Sequence, residues 1–157
     1  MTDRTAGRLA WAIGLVSFVM AGVALVFWLM TSAIPESANS NGGGISNIVP
    51  AVTFGALGAL VASRKPRNRV GWLMLVISGG TALTAFGFYL AKHALADGAD
   101  PTGWVRWAAW SGNWTSGVAI ASLVLVFLLF PSGRPLSRRW GWIAWVAVVA
   151  GTLFSIG

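Results

Sequence analysis

Long unbroken runs of apolar residues, separated by short polar stretches, form the pattern of this chain. None of the runs alternates strictly between apolar and polar positions, and each exceeds the ~9–11 residues of a strand in a lipid-facing barrel. Runs of about 20 apolar residues match a helix that crosses a ~30 Å hydrocarbon core while satisfying its own backbone hydrogen bonds. The predicted helices cover residues 9–30, 45–62, 70–90, 108–130 and 140–156.

The sequence therefore predicts an all-α fold, a polytopic membrane bundle of about five transmembrane helices that forms a single domain over residues 1–157. Composition agrees, because only 10% of residues are charged, against roughly 25% in soluble proteins.

The first run is longer than the ~7–15 apolar residues of a secretory signal peptide. A retained first helix is therefore favoured over a cleaved signal. Residues 104–114, before the fourth span, are rich in tryptophan and predicted to lie at the interface.

The distribution of charge predicts the orientation. If the chain crosses the membrane five times, nine of its eleven basic residues lie on the side of the N-terminus, and three of its four acidic residues lie on the other side. The nine are Arg4, Arg8, Arg64, Lys65, Arg67, Arg69, Arg134, Arg138 and Arg139. The positive-inside rule then predicts a multi-pass protein of the cell membrane with its N-terminus inside. Gly157 falls outside, so a cytoplasmic domain needs an odd number of further spans.

A cluster of tryptophans on the outer side is the main candidate site. Trp104, Trp107, Trp110 and Trp114 recur at helical spacing. They are interpreted first as an interface anchor. The functional alternative is an aromatic wall for an apolar or cationic ligand, with His93 and Asn113 nearby. His93, the single histidine, is either an ordinary interfacial residue or an outer pH sensor.

Catalytic signals are missing from the sequence. It has no cysteine, and no phosphate-binding loop, nucleophile elbow or zinc-binding histidine pair occurs. We therefore expect no catalytic residue, no cofactor and no metal site in this chain, which is not predicted to be an enzyme. Ion-coupled transport is disfavoured because the predicted spans hold no Asp, Glu, Lys or Arg. The basic residues lie in short loops, so the expected partner is the lipid bilayer and not nucleic acid.

Two further patterns concern packing and duplication. Small residues recur at four-residue spacing, as in Ala51, Gly55 and Ala59, and also at Gly80 and Thr84 and at Gly117 and Ala121. Such stripes let helices approach closely; packing within one chain is favoured, and a homodimer stays open. Residues 63–72 and 132–142 share the order Ser, basic, Pro, Arg, Gly-Trp. This indicates either a parallel duplication or two turns with the same interfacial requirements.

The two basic turns carry a family resemblance. Residues 58–73, GALVASRKPRNRVGWL, resemble a stretch of the membrane-embedded N-terminal regions of actinobacterial-type sensor histidine kinases. Residues 128–134, LLFPSGR, followed by Arg138-Arg139-Trp140, resemble the second hallmark of those regions, with Ser132 where Asp is usual.

The resemblance implies that this chain is the sensing or anchoring input region of a two-component signalling protein. The phosphoacceptor His, the dimerisation helices and the ATP-binding domain would lie downstream, so the full-length protein would be a histidine kinase and this chain a fragment. A response regulator would be a partner only through that absent domain. The alternative is a standalone multi-pass membrane protein with a structural or accessory role, such as a transporter subunit.

Overall fold

Five α-helices make up nearly all of the chain that the computed structural model describes, which is residues 3–31, 45–129 and 140–156. They are α1 (Asp3–Thr31), α2 (Ile45–Arg64), α3 (Arg69–Ala96), α4 (Trp104–Leu129) and α5 (Trp140–Ile156). No strand occurs within these residues. The predicted all-α class is therefore confirmed.

The helices extend beyond several of the predicted apolar runs. α3 continues past the apolar run ending at residue 90, through Lys92 and His93 to Ala96, and α4 begins at Trp104 and not at residue 108. Hydropathy marks the part of a helix that suits a hydrocarbon core, whereas backbone hydrogen bonds mark where the helix ends. At the end of α3 the Asp97 N–H donates to the His93 carbonyl oxygen at 3.0 Å.

Four of the helices are long and apolar enough to cross a membrane. These segments are Arg4–Met30, Ser46–Arg64, Arg69–Ala96 and Trp104–Leu129. α5 has 17 residues, and at 1.5 Å per residue it measures about 25 Å, somewhat less than a ~30 Å core. The fifth span therefore stays a prediction.

The described helices pack as a three-helix unit with a two-helix extension. α1, α2 and α3 each contact the other two, whereas α4 contacts only α3 and α5. Alanines fill much of the contact between α1, α2 and α3: Ala24, Ala51 and Ala85 are fully buried. Small side chains bring the helix backbones close, and dispersion between them then replaces the hydrophobic effect as the force that holds helices together in lipid.

The predicted stripes of small residues lie in contacts within the chain, and the homodimer stays a prediction. A Cβ atom on Gly55 of α2 would lie 2.7 Å from the Ser78 Oγ of α3. On Gly80 of α3, it would lie 3.0 Å from the Thr115 carbonyl oxygen of α4. The stripe of Gly117 and Ala121 faces α5 at Gly151.

Large apolar side chains cover the surface. Leu15, Leu29, Phe127 and Leu153 are each more than half exposed. Soluble monomers rarely expose apolar patches of more than a few hundred Å². This surface, together with the four long apolar helices, is consistent with a location in a membrane.

Most of the described basic residues lie at one end of the three-helix unit. A Cβ on Gly7 of α1 would lie 3.7 Å from Ser63 near the end of α2, and Gly71 near the start of α3 abuts Ala62. We call this end of the unit, with Arg4, Arg8, Arg64, Lys65, Arg67 and Arg69, the basic end. At the opposite end the Phe27 ring of α1 lies 5.1 Å from the His93 ring of α3. The loop of residues 97–103 and the start of α4 follow there.

Candidate functional site

The first basic turn, residues 65–68, is a tight connection between α2 and α3. The Asn68 side-chain oxygen accepts a hydrogen bond from the Val70 N–H at 3.0 Å and so caps α3. The predicted cations of this turn are all exposed: Arg64, Lys65, Arg67 and Arg69. The cations of the second basic turn, Arg134, Arg138 and Arg139, lie outside the described residues.

Two residues of the motif that carries the family resemblance have packing roles. Trp72 Nε1–H donates to the Pro66 carbonyl oxygen at 2.9 Å and so ties α3 back to the turn. A Cβ on Gly71 would lie 2.7 Å from the Ala62 backbone nitrogen, so only glycine lets α2 and α3 approach this closely. In the second copy the corresponding Trp142 is 64% exposed. The two copies therefore differ at this tryptophan, and the duplication stays a prediction.

The four candidate tryptophans lie on the exposed side of the first turns of α4. Trp104, Trp107, Trp110 and Trp114 are 56%, 66%, 48% and 40% exposed. The rings of Trp107 and Trp110 meet edge to face with centroids 5.4 Å apart, and those of Trp110 and Trp114 lie 6.0 Å apart. We call these four residues the tryptophan face.

A cleft beside the tryptophan face changes its chemistry. It is lined by Gly103, Arg106, Trp107 and Trp110. Gly103 has a φ of +68°, a left-handed conformation that glycine adopts at little cost as the loop enters α4. The guanidinium of Arg106 repels a cationic ligand. The cleft therefore favours an apolar or anionic compound over the cationic one that tryptophans alone would suit.

His93 and Asn113 were expected near the tryptophans. His93 Nδ1 lies 3.1 Å from Asp97 Oδ2, and its ring packs on Phe27. The structure thus places His93 at the contact between α1 and α3, among residues other than those that line the cleft. Asn113 belongs to α4, and its side chain lies outside what the structure describes.

On another face, α4 packs against α3 through a polar contact. The Thr84 hydroxyl lies 2.8 Å from the Gly112 carbonyl oxygen and 2.9 Å from Thr115 Oγ1. One turn further, a Cβ on Gly87 would lie 2.5 Å from the Ala108 carbonyl oxygen. We call this contact, made by Thr84 and Gly87 of α3 and residues 108–115 of α4, the α3–α4 joint.

The polar part of this joint was not predicted from the sequence. Gly80 and Thr84 were predicted as a small-residue stripe, but nothing local pairs Thr84 with Thr115, which lies 31 residues further along the chain. The available signal was the presence of hydroxyl side chains in otherwise apolar runs. In lipid such groups bond either to their own helix or to a neighbour.

Comparison of the chain with protein-family models, with curated proteins and with solved structures gave no match.

Proposed function

We propose that this chain is the membrane-embedded sensing or anchoring region of a signalling protein similar to sensor histidine kinases, in the cell membrane. Two findings support this. Four helices are long and apolar enough to span a membrane. Residues 58–73, which carry the family resemblance, comprise the end of α2, the tight basic turn of residues 65–68 and the start of α3.

In this proposal the basic end faces the cytoplasm. Six described basic residues lie there, against Lys92 and Arg106 toward the opposite end. Asp97 and Asp100 also lie at the opposite end. Because basic residues are retained on the cytoplasmic side, this distribution orients the N-terminus inside. α5 is the fifth span, and local thinning of the bilayer or flanking residues accommodate its shorter length.

The observation that carries the sensory role is the position of α4. One side of this helix bears the tryptophan face, another forms the α3–α4 joint, and a third contacts Gly151 of α5. α4 is also the one described helix that contacts α5. A compound that binds the tryptophan face would bias the packing of α4 on α3 and, through Gly117 and Gly151, the position of α5.

The cleft lined by Arg106, Trp107 and Trp110 limits the kinds of ligand that the tryptophan face would bind. Its two indole rings offer apolar contact, and its guanidinium offers a charge-assisted hydrogen bond to an acidic group. The proposed stimulus is therefore an apolar or anionic amphipathic compound that reaches the tryptophan face from the membrane interface.

The first test is the reading frame beyond the Gly157 codon. We expect it to continue through an odd number of further spans into a His-containing dimerisation helix and an ATP-binding domain. A stop codon directly after Gly157, with no kinase fused or encoded beside it, contradicts the kinase part of the proposal and favours the standalone membrane protein.

The second test measures autophosphorylation of the full-length protein in nanodiscs, with and without submicellar deoxycholate as an anionic amphiphile. We expect deoxycholate to change the rate in the native protein and to lose its effect in Trp107→Leu/Trp110→Leu. The matched control is Trp142→Leu/Trp145→Leu, which removes two exposed tryptophans of α5. Equal responses in the two variants contradict a sensory role for the tryptophan face.

A further inference from the structure

A second cleft lies at the basic end, between the start of α1 and the end of α2. None of its lining residues belongs to the tryptophan face. It is lined by Arg4, Gly7, Arg8, Trp11, Ala12 and Leu15 of α1 and by Ser63 of α2. Gly7 and Ser63 form its floor, because a Cβ on Gly7 would lie 3.7 Å from Ser63 Cβ. From the sequence, its two arginines were predicted to lie on the cytoplasmic side and, like the other basic residues, to contact the lipid bilayer. We call it the basic cleft.

At its end nearest the N-terminus, the basic cleft presents two arginines that can bind one anion together. Arg4 and Arg8 lie one turn apart on the same face of α1, and both are exposed. Side chains four residues apart on a helix are neighbours. Two guanidinium groups in this arrangement offer several N–H donors to one phosphate group, whose oxygens match the planar donor fork of arginine.

Further along α1, the basic cleft is lined by apolar side chains. Trp11 and Leu15 continue the same face of α1 and are 51% and 63% exposed. Leu15 lies seven residues after Arg8, which is about 10 Å along the helix axis. From the N-terminus of α1 onward, the cleft thus has cationic side chains followed by apolar ones. This order matches the charged headgroup and the adjoining acyl chain of a phospholipid.

The charges around the cleft are not balanced by described carboxylates. Asp97 and Asp100 lie at the other end of the three-helix unit. Asp3 is the acidic residue that the sequence places at the basic end, beside six basic residues. The resulting positive potential attracts anionic lipid over zwitterionic lipid.

We propose that the basic cleft is a binding site for an anionic phospholipid, with the phosphate group held by Arg4 and Arg8 and the upper acyl chain on Trp11 and Leu15. A soluble phosphate compound would use the two arginines but would leave the apolar wall without a ligand. The site needs only a chain embedded in a membrane, so it does not depend on the sensory role proposed above.

The test is native mass spectrometry of the purified chain in detergent, where membrane orientation does not enter, titrated with dioleoylphosphatidylglycerol or with dioleoylphosphatidylcholine. We expect tighter binding of the phosphatidylglycerol. In Arg4→Ala/Arg8→Ala the Kd of the first bound phosphatidylglycerol should rise about 30-fold, because the charge-assisted hydrogen bonds to its phosphate group are lost. The control, Arg64→Ala/Arg67→Ala, removes two exposed cations of the same end outside the cleft, and its Kd should rise far less.

Leu15→Asn tests the apolar wall of the cleft separately. It leaves every charge in place, and Leu15 is 63% exposed. We expect it to weaken binding of phosphatidylglycerol several-fold. Equal losses in the Arg4/Arg8 and Arg64/Arg67 variants contradict the site, because they show a diffuse charge effect. Equal Kd values for the two lipids contradict it as well. Competition by millimolar inorganic phosphate, combined with an unchanged Leu15→Asn variant, would overturn the lipid assignment in favour of a soluble phosphate.

Discussion

The three-helix unit of α1 to α3 and the pair of α4 and α5 are held in different ways. In the unit each helix contacts both others, so moving one helix changes at least two interfaces. The pair is attached to the unit through α3 and α4 alone, within the described residues. The unit carries the first basic turn, and the pair carries the tryptophan face.

This difference indicates where a rearrangement of the helices would change the fewest interfaces. A helix of the unit cannot shift without changing its packing on two others, whereas the pair of α4 and α5 can shift as one body by changing the α3–α4 interface alone. The α3–α4 joint combines close backbone approach at Gly87 with a polar contact at Thr84. In the proposed function, this joint is the element whose packing a ligand on α4 biases.

Blocking the joint is expected to have the largest effect. In Gly87→Val the new Cβ would meet the Ala108 carbonyl oxygen at 2.5 Å, so α4 must move away from α3. Overpacking of this kind costs about 3 kcal/mol of unfolding free energy. The control is Gly22→Val in α1, where a Cβ meets nothing within 4 Å. Denaturant titration in detergent micelles measures both variants, and equal stabilities would show that the joint is not closely packed.

Removing the polar contact of the joint is expected to have a smaller effect. Thr84→Val keeps the shape of the side chain but loses the contacts of the hydroxyl to Gly112 and Thr115. The expected loss is about 1 kcal/mol, the scale of interhelical hydrogen bonds in membranes. Thr53→Val is the matched control, since the exposed Thr53 hydroxyl donates only to Val49 of its own helix. If the control loses as much stability, the Thr84 contact does not hold the two parts together.

Acidification of the loop between the two parts is expected to have the smallest effect. The Thr102 N–H donates to Asp100 Oδ1 at 2.9 Å, and this hydrogen bond lowers the pKa of Asp100 below its ordinary value of 3.8. Because the pKa is lower in the folded state, the stabilisation is complete above the ordinary value. It is lost as the pH falls from there through the lowered pKa.

The pH dependence is measured by thermal unfolding in detergent between neutral and strongly acidic pH, comparing the native chain with Asp100→Asn. We expect the difference in melting temperature between the two to shrink as the pH falls below 3.8. A difference that grows on acidification would show that the carboxylate is not stabilised by the loop.

The local features of the fold could be predicted from the sequence. Apolar run length indicated five helices, because each helix in lipid is a self-contained unit. The small-residue stripes, such as Ala51, Gly55 and Ala59, indicated contacts within the chain. The positions of the basic residues followed from the loops between the runs.

The arrangement of the helices could not be predicted in this way. In a soluble helix the contrast between a polar and an apolar face shows which side is buried, but helices that are apolar all round lack that contrast. The sequence therefore does not predict that, among the described helices, α4 packs on α3 and α5 and not on α1 or α2. The pairing of Thr84 with Thr115 and the position of Arg106 beside Trp107 also depend on the helix rotations.

The orientation of the basic end is the central claim, and cysteine labelling tests it most directly. The chain has no native cysteine, so Arg67→Cys at the basic end and Pro101→Cys in the opposite loop can each be labelled without background. With a membrane-impermeant maleimide on intact cells, we expect Pro101→Cys to react at once and Arg67→Cys to react only after lysis. Labelling of Arg67→Cys in intact cells would contradict the account.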